Sequence, residues 1–359
     1  MGVVVVLPDT ISPSDVVTLW AIDSGQQPMA GRRRSMNRNG MSRRELLQGS
    51  AALGAMAAMP MALVAGKEYA VRYRQSGAQA KSGVVVNPLK PPPKGGIPAA
   101  FVISEGAVVI DFAGPWEVFE NVMLPSMGMS MDDQMPFHPY IVAEKLGPVE
   151  ASGGMKIVPA YTFENAPKPK VIVIPAQNGA SDAMYSWIAE QSKQTDVTMS
   201  VCTGALVLAK TGLLNGKRAT THHSGYIQLA LEYPDIHVKP GYRFVEEGNI
   251  ATAGGLTSGV DLALRVVERY YGRATAEETI YQLEYQGQGW MDASGSSNQA
   301  YAKARGGMTC PICGMTVVDG MSPEFEYKGK AYYFCMTSHR DLFKLAPDTV
   351  LKMMAGGES

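Results

Sequence analysis

Two groups of residues in this sequence have types and spacings that could do chemistry. The first is a lone cysteine, Cys202, in the run SVCTGALVLA. The apolar run VTMSVC (197–202) reads as a strand, and TGALVLAKTG reads as a helix that begins at once. A nucleophile delivered to such a sharp strand-to-helix turn is the elbow arrangement of hydrolases, here with cysteine in place of serine. A helix start offers free backbone N–H groups and a partial positive charge, so the position predicts a lowered Cys202 pKa. A buried, inert core cysteine is the alternative reading.

The second group lies near the C-terminus. Cys310 and Cys313 form C-x2-C with Pro311 inside the loop, and Cys335 and His339 form C-x3-H; twenty-one residues separate the pairs. Two close pairs joined by a hairpin-like segment can place four ligands around one metal ion, zinc or copper. A unit of about fifty residues buries little core, so a structural metal would help it fold. Met308, Met315 and Met336 lie nearby in sequence, and thioethers favour Cu(I). With four cysteines in 359 residues, a disulfide framework is not expected.

Composition sets the remaining bounds. Hydrophobic residues make up 46% and charged residues 18%, an ordinary globular balance. The 32 basic and 33 acidic residues leave no basic field to hold nucleic acid, so no nucleic-acid partner is expected. Residues 42–66, SRRELLQGSAALGAMAAMPMALVAG, pair Arg43 and Arg44 with an uncharged, mildly apolar stretch and end on small residues. That pattern reads as a twin-arginine (Tat) export signal cleaved near Lys67, with the Tat machinery as partner and the periplasm as destination. A membrane anchor is the competing reading; Gly49, Gly54 and Pro60 weaken it. The organisation expected is an upstream extension (1–35, with the true start at Met36 or Met41), the signal (36–66) and a Pro-rich linker (67–97) containing Pro91, Pro92 and Pro93. An α/β domain (98–290), a Ser/Gly-rich linker (291–307) and the metal module (308–354) follow.

Within 98–290, AAFVI, VVIDF, HPYIVA (138–143), VIVIP (171–175) and VTMSVC read as strands. GPWEVFENVML, Gly179 to Gln194, TGALVLAKTG, 257–272 and 274–284 read as helices, and FVEEGNIATAG reads as a hairpin turning near Gly248-Asn249. Alternating strands and helices imply a mostly parallel sheet covered on both faces.

The blocks SVCTGALVLAKTGLLNGKRATTHH, GNIATAGGLTSGVDLALRVVE, VIDFAGPWEVF and QLEY (282–285) resemble the PfpI-type (DJ-1/PfpI) superfamily. Within it they are similar to the branch holding isocyanide hydratases and the amidotransferase-like domains of AraC-type regulators. The resemblance implies a class I glutamine-amidotransferase-like (flavodoxin-like) α/β sandwich, a homodimer, a small-molecule substrate and no cofactor in this domain. It also implies Cys202 as nucleophile, Asp111 as the acidic residue facing it, Thr203 as a supporting hydroxyl, and Gly204 as the small residue that lets the helix start close to substrate. Glu117 reads as structural, at a dimer contact.

Departures from the family pattern matter as well. Thr203 stands where protease-like members have His. His222 reads as a satisfied structural histidine, and His223 replaces a large aromatic. Ala176 and Gln177, in IPAQNGA, replace a usual glycine pair, so a substrate contact there would differ from the characterised enzymes. No helix-turn-helix pair follows the domain. The C-terminal segment in turn resembles the YHS family through CPICGM, EYKGKAYYFC and Phe343-x3-Pro347, with His339 in place of the usual last cysteine, which shifts the ligand set toward zinc.

Three functions follow from these readings. The first is a cysteine-dependent hydratase or hydrolase: Cys202 attacks the terminal isocyanide carbon, Asp111 moves the proton and activates water, and an N-formamide leaves. The second is a non-catalytic periplasmic metal-handling or redox-sensing protein in which Cys202 is an oxidisable thiol. The third is a sensory domain derived from a regulator.

Overall fold

Short runs of Val, Ile, Phe and Ala supply the strands of a seven-stranded sheet. The computed structural model describes residues 85–93, 95–295, 309–318 and 320–354. The export signal, the upstream extension and Met308 lie outside the described residues. In chain order the strands are β1 (Ile97–Val102), β2 (Phe137–Ala143), β3 (Tyr161–Thr162), β4 (Val171–Ile174), β5 (Val197–Ser200), β6 (Phe244–Glu247) and β7 (Ile250–Ala253). Their spatial order is β6-β7-β5-β4-β1-β2-β3. Every neighbouring pair is parallel except β6–β7, the expected hairpin, which turns at Gly248-Asn249.

Helices cover both faces: α1 (Val109–Glu120), α2 (Asp182–Gln191), α3 (Gly204–Lys210), α4 (Tyr226–Glu232), α5 (Ser258–Tyr271) and α6 (Arg273–Leu283). Successive strand residues point to opposite faces, which divides the core in two. Phe101, Val171 and Val173 pack with Phe119 of α1 and Leu262 and Val266 of α5. Val102, Ile172 and Ile174 pack with Trp187 and Ile188 of α2 and Leu208 of α3. Strands β4, β5 and β7 are buried along their whole length; β4 accordingly reads as a continuous apolar run, while β5 and β7 also bury Thr198, Ser200 and Thr252.

One sequence expectation fails here. VVIDF is not a strand. Val108 has extended backbone and α1 begins at Val109. Buried Asp111, Phe112, Pro115, Val118 and Phe119 recur at helical spacing, and that period outweighs the β-branched start. Pro115 lies inside this helix and removes the hydrogen bond that would reach the Asp111 carbonyl. Its ring packs beside Gly259 of α5, where a Cβ would come within 3.3 Å of it.

The segment at 85–93 is pinned to the domain. Leu89 N–H donates to the Arg269 carbonyl (2.7 Å), while the Arg265 and Arg269 guanidiniums donate to the Val86 and Asn87 carbonyls (2.6 and 2.8 Å). Both arginines are buried, and Glu246 and Glu268 neutralise them.

The C-terminal module pairs β8 (Glu324–Tyr327) with β9 (Lys330–Tyr333) across a turn in which Lys328 and Gly329 both have positive φ, the hairpin geometry that matches strand twist. Two helices follow, α7 (Thr337–Leu345) and α8 (Pro347–Met354). Its small core is aromatic: Phe343 is fully buried and contacts the rings of Phe325, Tyr327, Tyr332 and Phe334.

Candidate active site and metal centre

Cys202 sits between the end of β5 at Ser200 and the start of α3 at Gly204. Its φ is +58°, a left-handed conformation that costs a non-glycine residue roughly 1–3 kcal/mol. Neighbouring groups hold it there. The Cys202 N–H donates to the Gly254 carbonyl at 2.8 Å, and the Thr221 hydroxyl donates to the Cys202 carbonyl at 2.8 Å. Gly204 has no room for a side chain: a Cβ would lie 2.2 Å from the Ile174 carbonyl oxygen. Close packing of α3 on the end of β4 thus accounts for this glycine.

Asp111 is fully buried in the first turn of α1. Its Oδ2 accepts the Ala176 N–H at 3.2 Å, its Oδ1 has no partner among the ordinary hydrogen bonds, and the carboxyl also interacts with the Cys202 thiol. Burial pushes Asp111 up to about 6, against the opposing pull of the Ala176 N–H and the thiol. Burial and then the Asp111 charge push Cys202 up to about 12, against backbone N–H groups of Thr203 and Leu256.

The expected lowering of the Cys202 pKa is therefore corrected. The thiol does receive N–H groups, but α3 has only seven residues, and burial beside a carboxylate outweighs its start. The two groups titrate as a pair. Between about 6 and about 12 the pair holds one proton. A thiolate forms there by passing that proton to Asp111, not by losing it to solvent.

The other sequence-predicted residues fall into place around this pair. Half-buried Thr203 is the residue before α3, and its backbone rather than its hydroxyl reaches the thiol. Ala176 contributes its N–H to Asp111. Gln177 is committed to the scaffold: its Oε1 accepts from the Ser104 hydroxyl (2.9 Å) and its Nε2 donates to the Val102 carbonyl (3.2 Å). Ser104 also lines a cleft of about 260 Å³ at the ends of β1 and β2, with Glu105, Glu144, Lys145 and Met184. Cys202 is not part of that lining.

His222 is a wedge behind the Gly254–Leu256 loop. Its Nδ1 lies 2.7 Å from the Ser224 hydroxyl and accepts the Ser224 N–H, and a Cβ on Gly255 would meet its ring at 2.3 Å. Burial, then neighbouring His223, pushes it down to about 4, so it is neutral at pH 7. Glu117 lies one turn before Asn121, which donates to its carboxylate at 3.3 Å.

Sequence reasoning missed the support beneath the Gly254 loop. The Arg243 carbonyl accepts the Gly254 N–H at 2.9 Å, and the Arg243 guanidinium grips buried Asp261 of α5 at 2.6 Å. Tyr285, from the QLEY run, donates to the same carboxylate at 3.1 Å. Leu256 needs a positive φ of 51° to aim its N–H at Cys202. The glycine-rich run AGGLTSG was the available signal for a strained loop.

In the C-terminal module, Cys310, Cys313, Cys335 and His339 do converge, with all four ligand atoms within 4.8 Å of one another. Cys313 Sγ lies 3.4 Å from Cys335 Sγ, and His339 Nδ1 lies 3.2 Å from Cys335 Sγ and 3.6 Å from Cys310 Sγ. A tetrahedral ion with ligand distances near 2.3 Å needs edges of roughly 3.8 Å, so this set could bind one with small adjustments. The first pair sits on a knuckle: Gly314 N–H donates to the Cys310 carbonyl (2.8 Å), Cys310 N–H to the Met315 carbonyl (2.8 Å), and Gly314 has φ +71°.

The raised Asp111 pKa is a stability statement. A carboxyl shifted from 3.8 to about 6 stabilises the fold below pH 3.8, and that contribution is lost as pH rises through 6. Asp111→Asn is therefore expected to gain up to roughly 3 kcal/mol relative to wild type between pH 4 and pH 8, read by denaturant unfolding at both values. It also removes the charge that opposes the thiolate, so iodoacetamide should label Cys202 faster at pH 8. An unchanged pH dependence of stability would contradict the burial account.

Comparison with known proteins places this geometry in a family. Residues 98–269 match the DJ-1/PfpI family, and residues 40–60 match the twin-arginine translocation signal sequence. An isonitrile hydratase from Pseudomonas putida is 37% identical over 181 residues, which cover 49% of this chain and 73% of that enzyme. The HTH-type transcriptional regulator CdhR of Pseudomonas aeruginosa is 26% identical over 148 residues, and the match spans less than half of the regulator, 44%. A crystal structure of a ThiJ/PfpI family protein from Pseudomonas syringae aligns with a TM-score of 0.47 at 27% identity, covering 58% of this chain and 83% of that one. With the isonitrile hydratase matched over nearly three quarters of its length, the chain belongs to the DJ-1/PfpI family.

Proposed function

We propose that the domain is a cysteine-dependent hydratase of the isonitrile-hydratase type, fused to a metal-binding module and exported by the Tat route. One observation carries the catalytic reading: a buried carboxyl and a buried thiol that interact at a strained elbow. The 37% identity to an isonitrile hydratase supports the substrate class. Cys202 sulfur bonds to the terminal carbon of R–N≡C, and the shared proton goes to that carbon, giving a thioformimidate, R–N=CH–S–Cys202. Asp111, now ionised, takes a proton from water as the hydroxyl adds to the same carbon. Asp111 passes that proton to the nitrogen, the hydroxyl proton returns to the pair as the C=O forms and the C–S bond breaks, and R–NH–CHO leaves. Thr203 and Leu256 N–H groups hold sulfur as its charge changes, and Ala176 N–H holds Asp111 in place. The substrate passes beside Ala176, Gln177 and Gly204.

The boundaries proposed are a signal at 36–66, the α/β domain at 98–290 and a YHS-like module at 308–354, with linkers between them. Cys310, Cys313, Cys335 and His339 would hold one zinc or copper ion, which when bound would tie the knuckle to the end of the hairpin and the start of α7. That cluster also supports a second reading, a periplasmic metal-handling or redox-sensing protein in which Cys202 does not turn over substrate.

The deciding measurement is formamide production from a simple alkyl isocyanide by the mature chain. Wild type is expected to turn over, with activity falling below about pH 6 as Asp111 gains the second proton. Cys202→Ala and Asp111→Asn are each expected to lose at least roughly a hundredfold, the usual scale of acid–base catalysis. Reactive Cys202 without formamide would sink the hydratase and leave the metal-handling reading. Elemental analysis addresses the module. About one ion per chain is expected, lost in Cys310→Ser/Cys313→Ser, and retention of metal by that variant would place the site elsewhere. For export, Arg43→Lys/Arg44→Lys is expected to keep the protein in the cytoplasm by cell fractionation. For assembly, light scattering on the mature chain is expected to give a dimer; a clean monomer would remove that part.

A further inference from the structure

Within the Cys/His cluster of the C-terminal module, one pair of sulfurs is placed for a second chemistry. Cys313 Sγ lies 3.4 Å from Cys335 Sγ. A tetrahedral site with ligand distances near 2.3 Å has edges of roughly 3.8 Å, whereas a disulfide bond is about 2.05 Å long. An ion must push these two sulfurs apart; a disulfide must draw them together. The observed separation lies between the two demands, and meeting one excludes the other.

The surroundings distinguish this pair from the other two ligands. Cys310 Sγ receives the backbone N–H groups of Cys335, Cys313 and Ile312, and the Cys310 N–H and carbonyl close the knuckle with Met315 and Gly314. His339 Nδ1 lies 3.6 Å from that same sulfur. Exposure separates the cysteines too. Cys310 and Cys313 are buried, at 1% and 4% exposure, while Cys335 is half-buried. An oxidant arriving from solvent meets Cys335 first, with Cys313 as the sulfur behind it.

We propose that Cys313 and Cys335 form a redox pair that gates the metal centre. The oxidant is a disulfide, R–S–S–R, the class that a chain with an export signal meets in an oxidising compartment. In the metal-free chain, Cys335 sulfur attacks one sulfur of the oxidant, its S–S bond breaks, and RSH leaves with the Cys335 proton. Cys313 sulfur then attacks Cys335 sulfur, the mixed disulfide breaks, and a second RSH leaves with the Cys313 proton. The chain loses two electrons and two protons, and the oxidant gains them. In the loaded chain both sulfurs are thiolates, so the leaving thiols take their protons from water and the ion is set free. Cys310 and His339 remain, two donors where four stood, too few for a structural ion. The new bond ties the knuckle to the chain just past β9, so the small core around Phe343 keeps a staple in either state. The release of metal rests on the metal-module reading; the pairing of the two sulfurs does not, and neither depends on the hydratase.

The test uses the mature full-length chain, with zinc as the metal and glutathione disulfide as the oxidant. Free thiols are blocked with N-ethylmaleimide under denaturing conditions, and linkages are mapped by peptide mass spectrometry. The metal-free chain is expected to form one linkage, Cys313 to Cys335, leaving Cys202 and Cys310 blocked. The zinc-loaded chain is expected to release about one equivalent of zinc to a chromogenic chelator in step with that linkage, and to take it up again after reduction by a phosphine. His339→Ala removes a metal ligand but keeps both sulfurs, so it is expected to lose zinc and still form the linkage. A wild-type chain that takes no zinc yet forms the linkage would fail the metal reading alone and uphold the pair. A Cys310–Cys313 or Cys310–Cys335 linkage, glutathione adducts without an internal linkage, or zinc retained by the linked chain would overturn the proposal.

Discussion

The contact between a buried carboxyl and a buried thiol organises the active end of the domain. Asp111 and Cys202 come from elements far apart in sequence, the start of α1 and the end of β5, and each would be costly to bury charged and alone. Together they need carry only one negative charge. The Ala176, Thr203 and Leu256 N–H groups serve that charge whichever atom bears it. The strained φ of Cys202 and the bare Cα of Gly204 follow from bringing sulfur to the carboxyl while α3 presses on the end of β4.

That geometry requires a rigid frame. The sheet supplies it on one side, since β4 and β5 are parallel neighbours and their C-terminal ends set Ala176 and Cys202 beside one another. The other side is the Gly254–Leu256 loop, whose position is set by Arg243, Asp261 and Tyr285. Neutral His222 fills the space against Gly255. A charged histidine there would disturb the pair, and burial prevents it.

Much of this could be read from residue patterns, and the failures have physical causes. The strand–cysteine–helix order, the β6–β7 hairpin and the Cys/His convergence followed from local signals: apolar runs, Gly248-Asn249, and paired ligand spacing. VVIDF misled because five apolar and acidic residues fit either period, and only Pro115, Val118 and Phe119 further on decide for the helix. The direction of the Cys202 shift was not legible because burial and the distance to Asp111 are properties of the folded chain. The hold of Ser104 on the Gln177 amide was not legible either, because the two residues lie seventy-three apart in sequence. Arg243 and Asp261 carry no motif, and their pairing exists only once α5 packs beside β6.

The pinned segment at 85–93 redraws the limits of the folded unit. Homology begins at residue 98, but Arg265 and Arg269 send their guanidinium donors to the Val86 and Asn87 carbonyls. A fragment begun at 98 would therefore leave two buried cations short of acceptors, a penalty of the kind that unpaired polar groups incur in apolar surroundings. What looks like spacer after an export signal is, at residues 86–89, a sealing strip laid across α5. Trimming the chain to its recognisable family core would remove it.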